Sequence, residues 1–318
     1  MATTATLSEV YLQLMKDRPR WTLIIFASIY AILAIFGIVM NFCVVYVTIR
    51  TKHFNNSANK LLAIYSFFEL VHQSGHFLFA YNVFWGHDLM PSKIVIQILT
   101  PSYFAFSCTT FLLFFTSIDR LICVLFPLTH SKNIFVYGVI LPIVGTGGLL
   151  YVFSLNSEPV GDLLIAGSMN DVALDPHFSQ SNYAFTIYAA TVTFILLGTV
   201  AIYVLLAILL HFRKASSNSN SHQFNLRIFR SLFTIVCVNI SGYLLFDLLY
   251  VTIIMNEAII PDLLTKWKWC QIVGILLNVS AASNAPILYF TSKEYRKAFD
   301  KELQMVVRIF SRNSVQPN

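Results

Sequence analysis

The chain has 318 residues, of which 57% are hydrophobic and 11% charged, and a formal net charge of +6. Soluble domains carry about 25% charged residues, so this composition excludes a water-soluble globular domain and indicates a polytopic membrane protein. The cations form no run with interleaved aromatics, which leaves no footing for a nucleic-acid partner.

Residues 1–20 lack a continuous apolar core and place Lys16, Arg18 and Arg20 after a polar stretch. They read as an extracellular N-terminal tail, not a cleaved signal peptide, with the first span serving as the insertion signal. Seven stretches are then apolar enough to cross a bilayer: 21–49, 59–83, 95–125, 134–155, 183–211, 229–255 and 270–291. They are apolar all round and lack the ten-residue alternation of barrel strands. The predicted fold is an all-α membrane protein, a seven-transmembrane helix bundle over residues 21–291. Trp21, Trp85, Trp267 and Trp269 fall near span ends, where interfacial aromatics collect.

With the N-terminus outside, the cytoplasmic segments hold 15 Lys and Arg and the outer segments 6, the bias expected of that orientation. The segment from Asn156 to Asn182 carries four acids and no Lys or Arg, as suits an outer loop. Residues 292–318 form a cytoplasmic tail. In it Tyr295, Phe299, Leu303, Val306 and Phe310 recur at helical spacing, with Lys293, Arg296, Lys297 and Lys301 on other faces. This predicts an amphipathic helix lying on anionic membrane lipid.

Ionisable groups at mid-membrane cost about 2.5–3.5 kcal/mol each on insertion scales, so they face the bundle interior. Glu69 lies ten residues into the second span, about 15 Å deep at ~1.5 Å per residue. His72, Gln73 and His76 follow on the same face, and Asn41 of the first span is within reach. Two readings stand: a proton-, ion- or ligand-coupled switch, or a hydrogen-bonded network that locks packing. Asp247 falls in the outer half of the sixth span, either as a counter-ion for a cationic ligand or as a carboxylate hydrated at the interface. No metal-ligand spacing, cofactor motif or nucleophile with a placed base appears, so no enzymatic activity is expected.

Four motifs occur in order. The first span holds Gly37-Ile38-Val39-Met40-Asn41. The second opens Asn59-Lys60-Leu61-Leu62-Ala63 and reaches Glu69. The third ends Ser117-Ile118-Asp119-Arg120-Leu121, with Pro127-Leu128 following. The seventh ends Asn284-Ala285-Pro286-Ile287-Leu288-Tyr289 before Lys293-Glu294-Tyr295-Arg296-Lys297-Ala298-Phe299. Together they resemble the rhodopsin-like class of G-protein-coupled receptors over nearly the whole chain. Ser66 to His76 and Ile118 to Pro127 look like the nematode serpentine chemoreceptors, particularly class sx.

The resemblance implies roles. Arg120 would contact Asp119 at rest and swing to a heterotrimeric G protein on activation. Tyr289 would rotate inward behind Pro286. Glu69 would be the switch carboxylate, paired with Asn41, with His72 and Asn284 beside them. The pattern departs in places. Leu121 stands where tyrosine is usual, Ala285 separates Asn284 from Pro286, the fifth and sixth spans lack proline, and Ala281 and Ala282 replace polar groups of a sodium site. The five cysteines cannot supply the usual tie from the third span to the outer loop, so that loop is expected to be held by packing alone.

The function expected is a plasma-membrane chemosensory receptor, possessing its N-terminus outside and its C-terminus in the cytoplasm of a sensory neuron. It would bind an extracellular small molecule or peptide and activate a G protein. By height, His76, Tyr103, Phe106, Tyr188, Asp247 and Tyr250 are the ligand-pocket candidates. A reversed-topology, seven-helix ligand-gated channel is the alternative, motivated by the cations before the first span. A proton-coupled transporter is a further one, resting on Glu69.

Overall fold

A computed structural model describes residues 7–16, 20–85, 89–126, 139–156, 164–174, 183–214, 220–254, 258–260 and 262–313. Seven helical segments pack into one bundle. The first span is Trp21–Arg50, the third Ser92–Leu125, the fourth Leu141–Asn156, the fifth Tyr183–Lys214. The sixth runs Asn220–Leu249 and continues as a π turn over Tyr250–Ile254. The second and seventh are each broken: Ser57–Ser74 with His76–Trp85, and Leu263–Ala282 with Asn284–Thr291. An eighth helix, Lys293–Asn313, follows.

Burial follows the membrane rule in reverse of a soluble fold. Large apolar side chains such as Ile32, Phe153 and Phe194 point outward, while Asn41, Glu69, Asn239 and Asn284 are fully buried. In hydrocarbon only interior faces can satisfy polar groups.

The breaks have local causes. At Gly75 an added Cβ would lie 2.7 Å from Ser102 and 2.8 Å from the Met169 sulfur, so glycine lets the second span press onto the third. Ser102 Oγ donates to the Val71 carbonyl there at 3.1 Å. At Ser283 the seventh span bends by 45°. Pro286 has no N–H to offer the Ala282 carbonyl, so the helical ladder is interrupted where the bend falls. Gly147 and Gly148 face Phe111 and Phe104 of the third span at under 3 Å from an ideal Cβ, whereas Gly145 meets nothing within 4 Å.

Several boundaries differ from expectation. The sixth span starts at Asn220 instead of 229, and the seventh at Leu263 instead of 270. Asp262 caps the latter, its Oδ2 accepting from the Thr265 N–H at 2.8 Å. The extension carries Trp267 and Cys270 inside, both fully buried, so Trp267 is not an interfacial anchor and Cys270 not a surface thiol. The 134–138 start of the fourth span and the Pro127–Leu128 pair lie outside the described residues.

The N-terminal segment is not a plain tail. Leu7–Lys16 is helical, with Val10, Tyr11 and Leu14 buried on the bundle. The loop after the fourth span is likewise held by more than packing. Leu164–Ile165 pairs antiparallel with Met90–Pro91, and Asn82, Tyr103 and Tyr30 bond to Ala166, Met169 and Asn170. Hydrogen bonds replace the missing covalent tie. At the opposite end Tyr295 stacks on Phe54 at 4.2 Å and shares a 3.0 Å hydrogen bond with Thr48. Leu303 stays 64% exposed, leaving an apolar edge on the amphipathic helix. The Val306 and Phe310 side chains lie outside the described residues.

Candidate functional site: a capped cavity over a polar interior

On the N-terminal side of the bundle lies a cavity of about 130 Å³. His76, Tyr103, Phe106, Tyr188, Asp247 and Tyr250, chosen by height alone, all line it. Sequence reasoning missed Tyr151, Tyr243 and Asn278, which line it too, as does His72.

His72 and His76 sit one turn apart across the Gly75 break, their rings 5.7 Å apart. Asn278 Nδ2 donates to the Gly274 carbonyl at 2.8 Å, so its Oδ1 accepts from His76 Nε2 at 2.7 Å. That contact ties the second span to the seventh and fixes the histidine ring. Gly274 is required here: a Cβ would meet Tyr30 Oη at 2.4 Å and Asn170 at 2.6 Å.

The roof is the loop segment 164–174. Asn170 Nδ2 donates to Tyr30 Oη at 2.8 Å and to Gln271 Oε1 at 3.1 Å, and Ser168 Oγ donates to the same Gln271 oxygen at 3.1 Å. Above them Asp171 is fully buried. It accepts from Tyr11 Oη at 2.7 and 2.8 Å, from Trp267 Nε1 at 3.2 Å and from the Ser168 N–H at 3.1 Å. Burial pushes its carboxyl up to about 7, although the donors from Tyr11, Trp267 and the loop backbone pull the other way. One carboxylate therefore joins the N-terminal helix, the loop and the seventh span.

The floor is built on Glu69. It accepts from Tyr65 Oη and Tyr243 Oη, both at 2.7 Å, and its other oxygen is 3.2 Å from His72 Nδ1. Tyr243 also meets Thr109 Oγ1 at 2.9 Å, so its hydroxyl links the second, third and sixth spans. One turn further along the sixth span, Asn239 Nδ2 donates to Asn284 Oδ1 at 2.8 Å. Asn284 Nδ2 donates to Asn41 Oδ1 at 2.8 Å, and Asn41 Nδ2 reaches the Ala281 carbonyl at 3.0 Å. The expected Asn41–Glu69 pair is thus absent from the described contacts. Asn41 spends its amide on the seventh span, and the four switch candidates divide into Glu69 with His72 and Asn41 with Asn284.

At the far end Arg120 contacts Asp119, and its guanidinium lies 3.4 Å from Ser57 Oγ. Both are buried on the third span. Tyr289 does not point inward. It is 37% exposed and its hydroxyl donates to Asp300 at 3.1 Å, with Arg296 stacked 5.5 Å from its ring. Pro286 lies on the bent segment between these groups. Among the described residues no three His, Cys, Asp or Glu side chains gather as a metal site.

Residues 34–303 match the family model described as the serpentine type 7TM GPCR chemoreceptor Srsx. The chain belongs to this family. Class sx is the class that the second and third spans resemble, and membership makes the chain a multi-pass membrane receptor of seven transmembrane helices. No curated protein matches the receptor.

Proposed function

We propose that the receptor sits in the plasma membrane of a sensory neuron with its N-terminus outside, binds an extracellular ligand in the capped cavity, and activates a heterotrimeric G protein at the Arg120 end. The observation that carries this reading is Tyr243. Its ring lines the cavity, its hydroxyl bonds Glu69, and one turn below it on the same helix Asn239 bonds Asn284. A ligand that shifts Tyr243 therefore acts on contacts between the second, sixth and seventh spans together. Such a bundle has two arrangements, and a ligand changes their balance only by its different affinity for each. In the resting arrangement Arg120 stays on Asp119; in the active one it is released to the G protein.

Ligand-stimulated nucleotide exchange on a co-reconstituted G protein tests this. Arg120→Ala should abolish it, and Tyr243→Phe, which loosens the second span from the sixth, should raise ligand-independent exchange. Undiminished exchange in Arg120→Ala overturns the coupling role. A tag before Met1 that stains intact cells supports the orientation. Staining only after permeabilisation, with surface delivery established separately, puts Arg120 outside and favours the reversed-topology channel.

A further inference from the structure

The cavity wall is chemically lopsided. Among the described residues that line it, seven are aromatic and none is Lys or Arg. The tyrosine hydroxyls are largely engaged behind the wall: Tyr103 donates to the Met169 carbonyl at 3.3 Å, Tyr188 to Ser107 at 2.6 Å and Tyr243 to Glu69. What the wall offers is ring surface. The rings stand in stacked pairs, with Tyr151–Tyr188 centroids 4.3 Å apart, Phe106–Tyr243 5.6 Å and Phe246–Tyr250 6.2 Å. A ring stacked through one face keeps its other face available, and that face carries negative potential.

Into this wall one carboxylate projects, with no counter-charge among the described residues. Asp247 lines the cavity between Phe246 and Tyr250. Among the described residues the Thr193 hydroxyl, 2.7 Å away, is the hydrogen-bond donor brought to it, and it takes part in no ion pair there. The two histidines do not offset it. His72 is turned to Glu69 and His76 to Asn278. A carboxylate at this depth is costly unless a cation joins it.

We infer that the cavity takes a small organic ammonium ion, its charge on Asp247 and its alkyl or aryl body against the Phe106–Tyr243 and Tyr151–Tyr188 rings; this rests on the cavity being the ligand site. Aromatic faces bind weakly hydrated organic cations well, and the half-buried carboxylate adds a charge-assisted contact. The size is restrictive. A cavity of ~150 Å³ holds a benzene ring, so about 130 Å³ admits one ring or a trimethylammonium group with a short arm.

The test uses full-length receptor in lipid nanodiscs and two matched pairs of probes: choline with 3,3-dimethylbutan-1-ol, and benzylammonium with benzyl alcohol. Within each pair shape is nearly held constant and charge is not. The charged member is expected to bind the unmodified receptor at least about tenfold more tightly, the order of one charge-assisted contact. Asp247→Asn should erase that preference while leaving the neutral probes unchanged, and Asp247→Glu should retain part of it. Equal binding within both pairs, with Tyr188→Ala weakening all four probes, overturns the ammonium assignment and leaves the cavity as ligand site. Neutral probes binding alone does the same. If no probe binds the unmodified receptor, or Tyr188→Ala weakens none that do, the assignment falls together with the pocket beneath it. Because the charge comparison is made on the unmodified receptor, it does not depend on any variant folding.

Discussion

Two buried carboxylates bracket the cavity, and they do different work. Asp171 above it gathers segments distant in the chain: the N-terminal helix through Tyr11, the loop through Ser168, the seventh span through Trp267. Glu69 below it gathers neighbouring spans through Tyr65, Tyr243 and His72. The upper node sits in a loop, where its partners can separate and meet water. The lower one sits where leaving a tyrosine hydroxyl unmatched has no aqueous remedy. The same hydrogen-bond chemistry therefore makes a cap in one place and a joint between helices in the other.

That contrast can be broken at its lower node first. Glu69→Leu takes the partner from the Tyr65 hydroxyl and His72 Nδ1 and leaves Tyr243 with Thr109 alone, at about 1–3 kcal/mol for each buried group left unmatched. A large drop in Tm of the purified receptor is expected, together with altered basal exchange. Unchanged stability would mean the node is hydrated and the comparison fails.

Asn284→Ala should cost less, about 1–3 kcal/mol, because Asn239 Nδ2 keeps the Ile235 carbonyl at 3.0 Å and it is Asn41 Oδ1 that loses its donor. It should leave choline affinity within a few-fold, since Asn284 does not line the cavity. A loss of binding as large as that caused by Tyr188→Ala would merge the asparagine layer with the cavity.

The upper node is distinguished by its pH response. The Asp171 carboxyl titrates near 7 in the folded receptor against 3.8 ordinarily, so between these values the folded state binds the extra proton. Stability from this group is therefore greatest in acid and falls as pH rises from about 4 through about 7. The Tm of the receptor should drop between about pH 4 and about pH 7, and Asp171→Asn should flatten that slope. A slope that survives the substitution assigns it elsewhere. The smallest effect is a control: Gly145→Ala, with open space at the Cβ, should be neutral or stabilising by about 0.5–1 kcal/mol.

How much of this was legible depends on whether it was local. The spans could be read from their apolar runs, the family from four short motifs in order, and the six cavity residues because depth in a helix follows from counting at a constant rise. Tyr243 was also within reach: it lies four residues after Asn239 and four before Asp247, on one face of the sixth span. The cap was not, because its partners are about 100 to 160 residues apart in the chain. Trp267 was misplaced because Lys266 and Lys268 flank it and depress the apolar run. The better signal was Asp262 followed three residues later by Thr265, a helix start. The N-terminal helix carried Leu7, Val10, Tyr11 and Leu14 at helical spacing, but ten residues cannot hold a helix unaided in water; only the docking site makes it one.

All five cysteines are free thiols. A cap assembled from hydroxyls, amides and a carboxylate has no redox potential. It needs neither an oxidising compartment nor an isomerase to form, and thiol reductants in the medium do not unfasten it. The receptor can be synthesised in a reducing cell-free mixture and assayed in millimolar dithiothreitol with its cap intact, a condition under which a disulfide-tied lid would open.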